Sequence, residues 1–147
     1  MTKPPSLDFL IDHLRLSPHP EGGYYRETWR SDLRLPAEAL PDHGGPRSAG
    51  TAINYLLPRD EESALHRVCS DELWFFQLGD PLQLRIKEKL NADARALTLG
   101  CRPRDQLQVL VPADHWQSAR SEGGPAGYTL VACVVVPGFD FADFEMA

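Results

Sequence analysis

Hydrophobic and polar positions follow two different periods along the chain. In "SLDFLIDHL" (6–14), Leu7, Leu10, Ile11 and Leu14 recur at helical spacing, and Ser6 stands where an N-cap belongs. "SPHPEGG" (17–23), with two prolines and two glycines, ends that helix. Beyond it the period is two. "YYRETWRS" (24–31) sets Tyr25, Glu27 and Trp29 on one face and Tyr24, Arg26 and Thr28 on the other. "PDHGGPRSAG" (41–50) reads as a mobile surface loop, and "TAINYLL" (51–57) as a strand stopping at Pro58. "PLQLRIKEKL" (81–90) points Leu82, Leu84 and Ile86 inward, "NADA" turns, and "RALTLG" (95–100) returns as the second half of a hairpin. "QLQVLVP" (106–112) and "YTLVACVVVP" (128–137) are further strands, the latter apolar on both faces and therefore central. Short strands separated by Gly, Pro and Asp predict an all-β sandwich or barrel, organised as one domain over 1–147.

Composition narrows the classes of function. With 147 residues, 42% hydrophobic and 24% charged, the chain is globular and long enough to bury a core. A net charge of −6 argues against general nucleic-acid binding, and Lys and Arg are scattered singly with no run that reads as a membrane-surface patch, so neither partner is expected. The longest apolar run, 130–136, is too short to span a bilayer, and the N-terminus lacks the apolar core of a signal peptide, so a cytoplasmic location is expected. Cys69, Cys101 and Cys133 are odd in number and widely spaced, which suggests neither a disulfide framework nor a zinc ribbon.

Candidate chemistry concentrates in "ALHRVCSDELWFFQLGD" (64–80), where His66 precedes Glu72 by six positions and Gly79 follows seven later. An imidazole and a carboxylate so placed hold a metal, hold a proton for a substrate, or satisfy each other in a core. Glu21-Gly22-Gly23 reads as a tight turn, and Arg26 and Glu27 as pocket groups or a cross-strand ion pair. Phe139, Phe141 and Phe144 in "PGFDFADFE" (137–145) are expected to pack on the body or on a partner subunit.

These phrases resemble the cupin superfamily, the RmlC-like jelly rolls. Its first motif has two histidines one residue apart, a glutamate, six residues and a glycine, and His66, Glu72 and Gly79 match it. The second, Pro-x-Gly, two residues and a histidine, aligns with "PADHWQ" (112–117), with Asp114 at the glycine and Gln117 at the histidine. "HPEGGYYRETWRS" (19–31), "LHRVCSDELW" (65–74), "GDPLQL" (79–84), "VPADHWQSA" (111–119) and "PGFDFADFE" tighten the resemblance to a branch of small cupins of largely unassigned function. Ala64 replaces the first metal histidine and Gln117 the last, while Phe75 and Gln77 stand where members of the branch often carry histidines.

The resemblance implies a double-stranded β-helix, the cupin jelly-roll barrel, with a short N-terminal helix and a small-molecule pocket, in a homodimer. It implies metal-independent epimerisation, isomerisation or dehydration of a sugar-like or keto-acid metabolite, as in the dTDP-4-dehydrorhamnose 3,5-epimerases. His66 is then the base, Glu72 its orienter, and Tyr55, Tyr25 or Tyr24 the acid. Tyr25, Arg26, Arg67, Trp74, Phe76, Trp116 and Gln117 are the expected ligand-binding residues, with Arg26 and Arg67 neutralising an anionic group. The alternative is a divalent metal (Fe, Mn, Ni or Zn) on His66, Glu72 and Gln117, with His115 as a substitute ligand, in an oxygenase or isomerase. A non-catalytic binding or sensing module is the third reading.

Overall fold

A computed structural model describes residues 3–147. From Thr51 onward the chain passes repeatedly between two antiparallel sheets. The larger runs in the order Ser17–Pro18, Tyr24–Arg30, Thr51–Pro58, Tyr128–Val136, Asp71–Gly79, Gln108–Val111. The smaller runs Glu145–Met146, Glu62–Arg67, Trp116–Ser121, Leu82–Lys87, Arg95–Leu99. This is an all-β jelly-roll arrangement, the one the motif resemblance implies. Tyr128–Val136 is central, pairing with Thr51–Pro58 on one side and Asp71–Gly79 on the other, as its two apolar faces predict. The strands Glu62–Arg67 and Asp71–Gly79, which carry the candidate histidine and glutamate, do not stand out by alternation.

The core lies between the sheets. Tyr55, Leu57, Trp74, Leu82, Leu84, Ile86, Leu99, Val111 and Val131 interlock there, all nearly inaccessible to water. Each fully buried aliphatic side chain in this set contributes about 1.5–3 kcal/mol. A second cluster forms outside the larger sheet, where the helix Leu7–His13 lays Leu10 and Ile11 on Leu56 and Leu130. Ser6 caps that helix, its hydroxyl accepting from the Phe9 amide at 3.1 Å.

Two expectations change. A bulge between Glu27 and Trp29 shifts the register, so Tyr25 pairs with Tyr55 but Trp29 pairs with Ala52. Trp29 therefore turns to the outer face, away from Tyr25, because the extra residue reverses the alternation. Second, the segment 41–50 is not simply a surface loop, since Arg47 and Ser48 are buried and pair with Arg34–Leu35. The Arg47 guanidinium donates to the carbonyls of Pro46 and His43 at 2.8 and 2.7 Å and pins the segment to the body.

Candidate active site

One end of the inter-sheet space opens onto buried titratable groups. His66 sits near the end of Glu62–Arg67, directly opposite Gln117. Its Nδ1 lies 2.7 Å from the Ala64 carbonyl, which can only accept, so Nδ1 carries a proton and Nε2 faces the cavity. Glu72 and Trp74 point inward from Asp71–Gly79. Gln117 ties them together, donating to Glu72 Oε1 at 2.9 Å and accepting from Trp74 Nε1 at 2.8 Å.

The partner of His66 comes from the turn 19–23. Glu21 Oε2 lies 2.8 Å from His66 Nε2, with both side chains about 95% buried. The contact is short but poorly directed, and among the described residues Oε2 has no directed hydrogen-bond partner. The turn is held from several sides. The Ala64 amide donates to the Glu21 carbonyl at 2.8 Å, and the Tyr55 hydroxyl donates to the Gly22 carbonyl at 2.6 Å. Gly22 has φ +110°, and a Cβ there would collide with the Glu62 carbonyl, so only glycine lets the turn approach this closely. His19 completes the turn, its Nδ1 accepting from the Glu21 amide at 3.0 Å.

His19, Glu21, His66 and Glu72 line a cavity of about 30 Å³ with Tyr25, Thr51, Ile53, Val68, Cys133 and Val135. Its roof is the C-terminal segment. The Phe144 ring stacks on His66 at 5.2 Å between centroids and 25° between planes, and Phe139 closes the side. The Phe139 amide donates to Thr51 Oγ1 at 2.9 Å. The three phenylalanines of this segment contact one another edge-on, and Phe141 is half exposed.

Electrostatics separate the two imidazoles. Burial lowers His66, but the adjoining Glu21 carboxylate, the charge of Glu72 and the Ala64 carbonyl carry it above its ordinary value. His19 falls below its ordinary value because burial outweighs the attraction of Glu21 and His66 repels a second proton. Glu72 is pushed up to about 6, by burial first and also by Glu21, against the pull of His66 and Gln117. A carboxyl group raised from 4.5 to about 6 on folding holds its proton more tightly in the folded chain. Its contribution to stability is therefore full below pH 4.5 and lost as pH rises through about 6. Glu72→Gln is expected to flatten this pH window and to raise stability at pH 7 by up to about 2 kcal/mol, read from urea unfolding at pH 4.5, 6 and 7.

The residues expected from sequence fall in different places. His66, Glu72 and Tyr25 meet at the cavity. Tyr55 is fully buried, committed to the Gly22 carbonyl, and raised far above the ordinary tyrosine value by burial and Glu21. Tyr24 packs against the helix outside the sheet. Arg26 is exposed and donates to the Leu14 carbonyl at 2.8 Å, and Glu27 pairs with Arg30 at 2.6 Å. Arg67 pairs with Glu145 at 2.9 Å and lies over the Trp116 ring. Trp74 is core, and Phe76 packs against it half-buried. His115 lines a separate open groove of about 520 Å³ with Glu88 and Arg95, remote in character from the buried cluster. Local pattern misses His19 and Glu21 because the turn glycines account for their segment without any chemistry. The signal for them is a histidine and a glutamate two positions apart, directly ahead of that turn.

The expected metal set does not fit. Gln117 turns its one side-chain oxygen to Trp74 and its amide nitrogen, which cannot ligate, to Glu72, so His66 and Glu72 alone of the three keep donors toward the cavity. His115 lines another groove and does not replace Gln117.

Comparison with known proteins agrees with this architecture. The uncharacterized protein YML079W of Saccharomyces cerevisiae is 30% identical over 155 residues, covering 97% of this chain and 76% of the yeast protein. The solved structure of a hypothetical protein from Leishmania major is 38% identical, with a TM-score of 0.86, over 97% of this chain and 88% of that one. Protein SO0799 from Shewanella oneidensis is 31% identical, with a TM-score of 0.84, over 97% and 85%. A family profile described as cupin superfamily, domain of unknown function 985, matches residues 8–147. With nearly its whole length accounted for by that profile, and a jelly roll to match, the chain belongs to the Cupin_5 family of the cupin superfamily.

Proposed function

We propose that this cupin binds a small polar metabolite, sugar-like or bearing a keto acid, and moves a proton beside its carbonyl without a metal. Epimerisation, isomerisation and dehydration share that step. The observation that supports it is the buried Glu21–His66 contact, which leaves Glu21 Oε2 without a directed hydrogen bond at a cavity wall. Buried polar groups are ordinarily satisfied, so an unsatisfied carboxylate oxygen facing a cavity suits a ligand group.

In this reading His66 Nε2 removes the proton from the carbon next to the carbonyl, and the bond electrons pass into an enolate. Glu21 stabilises the imidazolium so formed, while the Ala64 carbonyl holds the ring in its tautomer. Tyr25 offers a hydroxyl to the enolate oxygen, and Glu72, near 6, is a second proton store that can return a proton to carbon. A positioned base of this kind contributes about 10²–10⁴-fold. A cavity of about 30 Å³ does not admit a sugar, so entry requires Phe139 and Phe144 to swing aside.

The test is solvent exchange. The protein is incubated in D₂O with sugar nucleotides and small keto acids chosen by thermal shift, and carbon-bound deuterium is followed by NMR. Deuterium beside a carbonyl, absent with His66→Ala, supports the reading. A ligand that binds and returns unlabelled identifies a binding or sensing module instead. Three free cysteines suit a reducing cytoplasm.

We further propose a homodimer. Trp29, Ala52, Val134, Leu73 and Leu110 stand side by side across the outer face of the larger sheet. Trp29 and Leu110 are about half exposed, at 51% and 46%, an apolar row that a second copy would cover. Val134→Lys is expected to halve the mass measured by light scattering; a wild-type chain already monomeric at micromolar concentration would remove the proposal.

A further inference from the structure

Outside the cavity, three segments bring metal-type donors together. His43 belongs to the loop after the 3-10 turn Ala37–Ala39, Cys69 to the link between Glu62–Arg67 and Asp71–Gly79, and Asp143 to the 3-10 turn Phe141–Asp143. One ligand atom from each lies within 4.8 Å of the other two. The three are partly buried, and they line a surface hollow of about 270 Å³ with Asp42, Asp114, Glu145 and Arg67.

Two of the three donors, His43 and Asp143, also have the outer partner that a ligand needs. His43 Nε2 meets Ser70 Oγ at 2.9 Å, which fixes the ring. Arg47 donates to both oxygens of Asp143, at 2.9 and 2.6 Å, and each carboxylate oxygen keeps a further lone pair. Such outer hydrogen bonds orient metal ligands and are part of their affinity. Cys69 is the diagnostic member. Its sulfur lies within 4.8 Å of ligand atoms of both His43 and Asp143, and Asp42 and Asp114 add carboxylates to the same hollow.

We propose that His43, Cys69 and Asp143 form a binding site for a divalent transition metal, zinc by preference, distinct from the Glu21–His66 cavity. The mixed nitrogen, sulfur and oxygen set is of the kind zinc takes, with water in the fourth position. Binding exchanges the Cys69 S–H proton for a sulfur–metal bond and releases that proton to solvent. Because Asp143 immediately precedes Phe144, the metal ties the roof of the cavity to the loop 41–46 and to the link at Cys69.

Cobalt(II) is the probe, titrated into chelator-treated full-length Cys101→Ser protein so that the exposed thiol does not compete. The expected result is one equivalent of Co²⁺ bound with thiolate-to-cobalt charge-transfer absorption in the near ultraviolet, displaced by one equivalent of Zn²⁺. Cys69→Ser abolishes the band, Ser70→Ala weakens binding about tenfold, and Glu72→Gln leaves both band and affinity unchanged. The near-isosteric serine keeps the fold, which circular dichroism checks. No charge-transfer band in the parent protein, a band that survives Cys69→Ser, or a band lost in Glu72→Gln would each overturn the proposal.

Discussion

Replacing His66 with alanine is expected to abolish deuterium incorporation into any substrate and to destabilise the fold by about 3–5 kcal/mol at neutral pH. The two effects have one origin. His66 lies 2.8 Å from Glu21 and shares the cavity with Glu72, and both carboxyl groups are more than 90% buried. Without the imidazole they share a low-dielectric space with no cation beside them. Removing one partner of a buried pair leaves the whole desolvation cost of the other. The loss should shrink as pH falls, because acid neutralises the stranded carboxylates, and Glu21→Gln/His66→Ala should recover most of it. Urea unfolding of wild type and both variants at pH 5 and 7.5 checks this. A loss equal at both pH values would mean that packing, and not charge, is what His66 supplies.

The second large effect is expected at Arg47. Its side chain and that of Asp143 are 8% and 4% exposed, and they meet at 2.6 Å. Arg47→Ala strands Asp143, frees the carbonyls of His43 and Pro46, and should cost about 3–5 kcal/mol. Asp143 lies in the roof segment, so the consequence reaches the site. Backbone amides of Phe139 and Ala147, bonded to Thr51 and Leu65, should exchange with solvent faster in the variant. Arg47→Met/Asp143→Leu, which removes both charges, should restore most of the stability. Hydrogen exchange of residues 138–147 followed by mass spectrometry separates an opened roof from a general loss of stability, which would accelerate exchange in Val131 and Trp74 equally.

Where a residue's role depends on its neighbours along the chain, the amino-acid pattern makes it legible. Leu7, Leu10 and Ile11 announce a helix, Leu82, Leu84 and Ile86 an inward strand face, and Tyr128–Val136 a central strand. Strand pattern alone reaches an all-β sandwich or barrel; the cupin fold is what the resemblance of the motifs implies, and the family match over residues 8–147 agrees. Alternation puts Trp29 on the wrong face because one bulged residue reverses it, and a bulge has no period to read. Arg47 reads as loop because its partner, Asp143, is 96 residues away. The site is half visible. His66 and Glu72 lie within seven positions and match a motif, whereas Glu21 reaches them from a turn whose glycines have a sufficient backbone explanation of their own. Gln117, at a position aligned with a metal histidine, instead holds Glu72 and Trp74 in place. Contacts closed only by tertiary structure are absent from any local pattern, and here they decide the chemistry.

Everything assigned to the cavity rests on Glu21 and the Ala64 carbonyl holding His66 as a proton-carrying imidazole above its ordinary value of 6.5. The most direct measurement is a ¹⁵N NMR titration of the His66 ring in wild type and Glu21→Gln, with His19 followed in the same spectra. Nδ1 is expected to stay protonated throughout, and Nε2 to titrate above 6.5 in wild type while His19 titrates below it. Glu21→Gln is expected to move His66 downward. A His66 that titrates at or below 6.5, or that does not respond to Glu21→Gln, would contradict this arrangement.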